Sequence, residues 1–276
     1  MRFEVGLLTV LIVITIMPTV AGAWGMDGHR TVAAVAARRL NSAAKIGVAF
    51  LLGDESMERV ASWADTVART THPQTERWHY VNTPYEATGY NPARDCISTA
   101  RGDCVIAAIP RLEKILLDRT ASHQVRREAL MFLIHFVGDL HNPLHAIQKD
   151  DTDNDTGPGG IGTQVELAGN MVSLHAAWDS GIIRAVVKTE ANLLEGAEEW
   201  LNKHNEKTVM GSGPRGWGAE SFRLGKTLAY PQAEDGEISE EEQRVAMGVI
   251  AERIALAGVR LAEVLNQVFA KPRGHK

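Results

Sequence analysis

Two His-x3-Asp pairs are the residues of this sequence best suited to chemistry. His135 and Asp139 form one pair, and His175 and Asp179 form the other. Side chains four residues apart project from one face of a helix. The segment around His135 is apolar nearly all round, as in a buried helix, where an unpaired carboxylate is too costly. A divalent metal ion is the simplest partner. A hydrogen-bonded core pair is the alternative for His135 and Asp139 alone, and the repeated spacing favours metal.

Further histidines and aspartates extend this set. His145 follows an Asn-Pro dipeptide, and the proline should end or kink the helix and turn this imidazole into the same pocket. Asp65 and His79 each lie beside a tryptophan that could wall off a dry pocket. Histidine and aspartate without cysteine suit zinc or another borderline divalent ion, and aspartate can bridge two ions. His141 lies off the face of His135 and is predicted to support the site or the core rather than to bind metal.

The amino-terminal segment has the parts of a secretory signal peptide. Arg2 precedes an apolar run over 5–20, and Ala-Gly-Ala at 21–23 is a small-residue cleavage site. Cleavage of 1–23 would leave Trp24 with a free amine that can bind metal. A retained membrane anchor is the alternative, because the run is close to the minimum length for a span. No later segment is apolar enough to span, so we expect a periplasmic or extracellular protein without stable membrane association.

The pattern of the remaining chain predicts a single mainly helical domain over 24–276. Helical segments are predicted at 29–40, 126–141, 190–205 and 239–269, the last opening with a Ser-Glu-Glu-Glu start signal. The only strand candidates are 164–167 and 171–174, which could form one small hairpin. Residues 150–162, rich in aspartate and glycine, are predicted to be a loop. The fold class is therefore all-α with at most a small β-hairpin.

Charge and cysteine content narrow the function further. The formal net charge is −5, so the chain has no basic patch of the kind that tracks a phosphate backbone, and any phosphate affinity must come from bound metal. Cys96 and Cys104 are predicted to form a disulfide across a short loop, as expected for an exported protein. Two zinc thiolates are the alternative, but the seven intervening residues do not match the Cys-x2-4-Cys pairs of structural zinc sites.

Taken together, the motifs resemble the trinuclear zinc nucleases of the S1/P1 type, which include mung bean nuclease and are distantly related to zinc-dependent phospholipases C. The resemblance covers essentially all of 24–276. The matching motifs are Trp24-Gly-x-x-Gly-His29, Trp-Ala-Asp65, Trp-His79-Tyr-Val-Asn, His135-x3-Asp139-x5-His145 and His175-x3-Asp179.

This resemblance implies three zinc ions, a mainly helical fold and the following sets of ligands. One ion is held by Asp65, His79, His135 and Asp139. A second is held by the Trp24 amine and carbonyl and by His29, with Asp139 as a bridge. The third is held by His145, His175 and Asp179. The family hydrolyses single-stranded RNA and DNA to 5′-nucleotides and dephosphorylates 3′-nucleotides. A bridged pair of zinc ions can activate a shared water, and a third ion can neutralise the phosphate.

Two further residue roles are hypotheses. Asp65, at the edge of the metal pair, is expected to orient or deprotonate the attacking water. Tyr80, beside a ligand, is the candidate to stack on a base, with a core tyrosine as the alternative. The chain departs from the family where Gly159-Gly160 is followed by Ile161 instead of asparagine, and where an arginine stands one position late, at Arg69.

Two other functions remain open on the sequence. A zinc-dependent phospholipase C would use the same cluster, but those relatives usually carry glutamate at the position of Asp179. A non-catalytic zinc-binding protein is disfavoured, because structural zinc sites are closed four-ligand cages and nine residues shared by three ions leave open positions. We expect a monomeric enzyme.

Overall fold

The computed structural model describes residues 24–149, 157–187, 189–204 and 212–270. The predicted signal peptide and all four aspartates of the predicted loop lie outside these residues. The described α-helices are α1 Gly25–Arg39, α2 Ser42–Leu52, α3 Met57–Val60, α4 Trp63–Ala68, α5 Pro92–Asp95, α6 Val105–Leu117, α7 His123–His141, α8 Leu174–Ala176, α9 Ile182–Val186, α10 Glu190–Lys203, α11 Pro214–Leu224 and α12 Glu240–Val268. Two strands, β1 Gln164–Leu167 and β2 Asn170–Ser173, form one antiparallel hairpin. The predicted all-α class with a small hairpin is confirmed.

Helix α7 lies at the centre of the molecule. Ser122 caps its start by accepting a hydrogen bond from the Val125 amide, and every residue from Ala129 to His141 is buried. The helix packs against α1, α2, α4, α6, α11 and α12. A helix that is apolar on all sides has to be covered on all sides, and this burial places His135 and Asp139 in the interior.

The long helix α12 forms the second support of the core. A capping box between Ser239 and Glu242 fixes its start, and it packs on α1, α7 and α10. Its approach to α1 is close at Gly258, where an added Cβ would lie 2.3 Å from Val35 Cγ1. Helix α1 is thereby held against the core with its amino-terminal residues beside α7.

The hairpin and a disulfide fix two loops. Strand β2 runs directly into α8, so the hairpin sets the start of the helix that carries His175. Cys96 and Cys104 form the predicted disulfide across the segment before α6, which excludes zinc thiolates at these positions. In the described part of the chain, no helix has both the length and the apolar character needed to cross a membrane.

Candidate metal centre

Three groups of histidine and aspartate side chains converge around the C-terminal half of α7. Within each group the potential ligand atoms all lie within 4.8 Å of one another. The groups are His29, Asp65 and His135; His79, His135 and Asp139; and His145, His175 and Asp179. The structure therefore brings together eight of the nine predicted ligand residues from separate parts of the sequence, and the ninth, Trp24, lies beside them.

Asp139 lies at the junction of the first two groups. Its Oδ1 is 3.2 Å from His29 Nε2, and its Oδ2 is 3.0 Å from His79 Nδ1 and 3.3 Å from His135 Nε2. Asp65 Oδ1 closes the same group from α4, at 3.5 Å from His135 Nε2. Because its two oxygens face different histidines, Asp139 has the arrangement required of a bridging ligand.

The start of α1 is tied to the same point of α7. Trp24 is fully buried with a left-handed φ of 52°, and its Nε1 donates to Gly138 O at 2.9 Å. One turn later, His29 stacks on His135 with 3.8 Å between ring centroids. The absence of a side chain at Gly138 makes this possible, because a Cβ there would lie 2.9 Å from His29 Nδ1.

The third group begins where α7 ends. Asn142 ends the helix and Pro143 starts a 3-10 turn, Pro143–His145, which turns His145 inward as predicted. His175 Nε2 lies 3.0 Å from Asp179 Oδ2, and His145 Nε2 lies 4.0 Å from Asp179 Oδ1. Asn142 Nδ2 donates to Asp179 Oδ1 at 2.8 Å and so orients this carboxylate. The sequence analysis missed this role of Asn142, although its position between two ligands was a readable signal.

Backbone carbonyls orient three of the imidazoles. The Nδ1 atoms of His135, His145 and His175 donate to the carbonyls of Ala61, His79 and Gly159, at 2.7, 2.7 and 2.8 Å. A carbonyl can only accept, so Nδ1 carries the proton and Nε2 is directed at the carboxylates. This arrangement is typical of metal-binding histidines, whose other ring nitrogen is fixed by a hydrogen bond.

Several polar atoms of the groups are buried without a hydrogen-bond partner among the described residues. Burying such atoms unpaired costs free energy, and native structures contain few of them. They are both ring nitrogens of His29, both oxygens of Asp139, Nε2 of His79, His145 and His175, and Oδ2 of Asp179. In addition, His79 Nδ1 and His135 Nε2 face each other at 3.1 Å, where the lone pair of each unprotonated nitrogen could bind a metal ion. The donor set fits zinc ions.

The electrostatics of the metal-free groups are strongly perturbed. Burial lowers the pKa of His135, but Asp139 and Asp65 outweigh it and raise that pKa to about 9. Burial is the main cause that lowers the pKa of His145 to about 3. Burial raises the pKa of Asp65, yet His135 and His79 outweigh it and hold that pKa well below its ordinary value. Neutral and charged imidazoles therefore coexist within one pocket.

A buried ionic network holds the C-terminal end of α7. Arg253 and Arg260, 1% and 2% exposed, both donate to Glu220. Arg253 Nε also donates to the His141 carbonyl, and Arg260 donates to Nε2 of His141 at 2.9 Å. His141 is thus occupied by its own helix and by Arg260, as expected of a supporting residue. These cations neutralise the negative end of α7 directly before the ligand-bearing turn.

The structure places Tyr80, the candidate for base stacking, and two positions at which the chain departs from the family. Tyr80 is 3% exposed and its hydroxyl has no partner among the described residues, which favours the core alternative over a stacking platform. Arg69 is exposed at the C-terminal end of α4. Gly159 and Gly160 precede Ile161, where the chain departs from the family. The Gly159 carbonyl accepts a hydrogen bond from His175 Nδ1, and the Gly160 carbonyl accepts one from the His175 amide at 3.2 Å. These glycines therefore position a predicted ligand.

Comparison with known proteins agrees with this centre. The family model described as S1/P1 Nuclease matches residues 24–270. The chain is similar to Endonuclease 2 of Arabidopsis thaliana, with 32% identity covering 98% of the chain and 100% of the relative. It is also similar to Nuclease S1 of Aspergillus oryzae, with 30% identity over 90% and 93%, and to Nuclease P1 of Penicillium citrinum, with 26% identity over 89% and 97%. The family match over residues 24–270 and these identities show that the chain belongs to the S1/P1 nuclease family of zinc-dependent nucleases.

Proposed function

We propose that this chain is an exported endonuclease that hydrolyses single-stranded RNA and DNA to 5′-nucleotides and removes the phosphate of 3′-nucleotides. The observation that carries the proposal is the convergence of three histidine and aspartate groups on one buried pocket with unpaired ligand atoms. Family membership supports a nuclease.

We assign three zinc ions to the centre, with nine residues as ligands. Asp65, His79, His135 and Asp139 would hold one ion. Trp24 and His29 would hold a second together with Asp139. His145, His175 and Asp179 would hold the third. When bound, these ions supply Lewis acidity toward water and toward a phosphate ester. The unpaired buried atoms described above support this assignment.

Asp65 is the most accessible carboxylate of the centre. Its side chain is 19% exposed, whereas those of Asp139 and Asp179 are 0% and 3% exposed. Its pKa lies well below the ordinary value, against the effect of burial, because His135 and His79 face it. An ionised, accessible carboxylate can accept a hydrogen bond from a water and orient it for attack. We expect Asp65→Asn to lower kcat by at least about 100-fold, and full turnover with full zinc content would refute this role.

Export is supported by the leader composition and by the family match, which begins at Trp24. Cleavage before Trp24 would supply the free amine as a ligand. We expect amino-terminal sequencing of the exported protein to begin at Trp24. A variant that retains Ala23 should bind one zinc ion fewer than the matched protein that begins at Trp24, and equal zinc content would contradict the amine as a ligand.

The experiment that tests the function uses protein beginning at Trp24 with its zinc content measured. Single-stranded RNA, single-stranded DNA, a 3′-nucleotide and phosphatidylcholine are the substrates. We expect release of 5′-nucleotides and of phosphate from the 3′-nucleotide, lost on chelation and restored by zinc. Cleavage of the lipid alone would identify a phospholipase C. Zinc retention without hydrolysis of any substrate would identify a non-catalytic zinc-binding protein.

A further inference from the structure

Two lysines that are far apart in the sequence meet on one tyrosine ring. Lys149 Nζ lies 4.8 Å from the ring centroid of Tyr85, and Lys226 Nζ lies 5.2 Å from it. Tyr85 is half-buried, its hydroxyl donates to the Lys226 carbonyl at 3.4 Å, and it packs edge-on against Tyr230 at 5.6 Å. Cation–π contacts of this kind hold an ammonium group in place while leaving its charge available.

Neither lysine has an acidic partner in the described part of the chain. Lys149 is exposed and Lys226 is half-buried, and neither belongs to an ion pair formed by described residues. The contact of Lys226 Nζ with a backbone oxygen is a weak one, at 3.4 Å from Ala87 O. Both charges lie within about 10 Å of each other, roughly one Debye length at 0.1 M salt. Among the described residues, two like charges this close without an acidic partner create a local preference for an anion, in a protein whose formal net charge is −5.

The position of this lysine pair relative to the metal centre is set by two segments that run parallel and are joined by backbone hydrogen bonds. One leads from His79 to Tyr85 and the other from His145 to Lys149. They are joined by hydrogen bonds from Val81 N to His145 O at 2.8 Å and from Tyr85 N to Gln148 O at 2.7 Å. Four residues of extended chain span at most about 14 Å. The lysines therefore lie within a few nucleotides of the proposed zinc ligands.

We propose that Lys149 and Lys226, supported by Tyr85, form a subsite for a backbone phosphate of the nucleic acid strand, outside the metal centre. The inference rests on the proposed nuclease function and adds to it a polymer-binding element. A strand held by metal at the scissile phosphate would place a neighbouring phosphate on the two ammonium groups. A strand that continues beyond the scissile phosphate could occupy the metal centre and the subsite together, so the subsite would favour longer strands.

The test compares two variants of equal charge. Lys149→Gln/Lys226→Gln removes the pair, and Lys45→Gln/Lys114→Gln removes two exposed lysines on α2 and α6. For each protein, kcat/KM is measured on an oligothymidylate and on thymidine 3′-phosphate over a series of salt concentrations. In a plot of the logarithm of affinity against the logarithm of salt concentration, each phosphate contact on a single strand contributes about 0.7 to the slope. Because the pair binds one phosphate, we expect the pair variant to lose about 0.7 of the oligothymidylate slope. Its kcat/KM should then fall about 2.6-fold less than that of the wild type over a fourfold rise in salt concentration.

The control variant should keep the wild-type slope, and Lys149→Arg/Lys226→Arg should restore it. A folded glutamine variant with the wild-type slope would overturn the subsite. The subsite would also be overturned if the glutamine variant were no longer inhibited by inorganic phosphate but kept the wild-type salt slope on the oligothymidylate. The lysine pair would then bind free phosphate and not the strand. If the wild-type protein hydrolyses no nucleic acid, the proposed function fails separately. The subsite is then tested by the affinity for a labelled oligothymidylate, measured by fluorescence anisotropy. Equal affinities of the wild type and the glutamine variant would overturn it.

Discussion

Replacing Gly138 by alanine should damage the zinc site that contains His29 while leaving the rest of the fold intact. The added Cβ would lie 2.9 Å from His29 Nδ1 and 3.2 Å from Cε1, whereas ordinary contact begins at 3.4 Å. The ring must therefore move by about 0.5 Å, the difference between 2.9 and 3.4 Å. The His29 ring is also stacked on His135, with 3.8 Å between ring centroids, so it cannot move away freely.

The size of this shift decides the outcome. Metal sites tolerate deviations of about 0.2 Å in ligand distance, so the displaced ring is a poor ligand. We expect zinc affinity at this site to fall roughly 10- to 100-fold, the effect typical of losing a residue that orients a ligand. The overpacking should also cost about 1 to 3 kcal/mol of unfolding free energy.

The assay is a competitive zinc titration against a chromophoric chelator, with thermal unfolding of the metal-free protein in parallel. Gly248→Ala is the matched control, because Gly248 lies in α12 and an added Cβ there has no neighbour within 4 Å. The control should keep all zinc affinities and gain about 0.5 to 1 kcal/mol of stability, since alanine is the better helix former. If Gly138→Ala bound every ion as tightly as wild type, His29 would not be a ligand held in this way.

Three further predictions follow from the same geometry. Asn142→Ala removes the 2.8 Å hydrogen bond to Asp179 and should weaken the third zinc ion roughly 10- to 100-fold in a chelator competition; unchanged affinity would show that Asp179 needs no support. Glu220→Ala leaves Arg253 and Arg260 buried without their carboxylate, and thermal or urea unfolding should show a loss of about 3 kcal/mol; a loss no larger than that of a surface substitution would contradict the network. In the metal-free protein Asp139 and Asp65 raise the pKa of His135 to about 9, against the effect of burial, so zinc binding near pH 7.5 should release the His135 proton into weak buffer. Because the pKa of His135 is higher in the metal-free fold than the value of about 6.5 in the unfolded chain, protonation stabilises that fold at low pH, and its unfolding free energy should fall between pH 6.5 and pH 9. The proton released on zinc binding should disappear above pH 9. Proton release that does not change with pH would argue against a protonated His135.

The parts of the fold that sequence reasoning predicted correctly are those with one strong local signal. Helix α7 follows from a segment that is apolar on all sides, and the inward turn of His145 follows from Pro143. Helix α7 begins at His123, three residues before the predicted start, because Ser122 caps it. The predicted second strand ended one residue late, since Leu174 begins α8 after the Ser173 cap.

Features that depend on long-range packing were not readable from the sequence. The pair formed by Lys149 and Lys226 is one example, because no local pattern shows that both lysines contact Tyr85. The exposure of Tyr80 is another, since an aromatic residue beside a ligand can face either the cleft or the core. The ligand sets themselves came from family motifs. Spacing alone indicated a shared site for the two His-x3-Asp pairs and left the partners of His29 open.

The most direct test of the account is anomalous diffraction at the zinc absorption edge from crystals of the protein that begins at Trp24. We expect three zinc peaks in one pocket, one in contact with each ligand set, with Asp139 between two of them and the Trp24 amine on one. Three peaks in these positions would establish the centre on which the proposed nuclease function depends. A single peak, or peaks that do not contact Asp139 and Asp179, would contradict it.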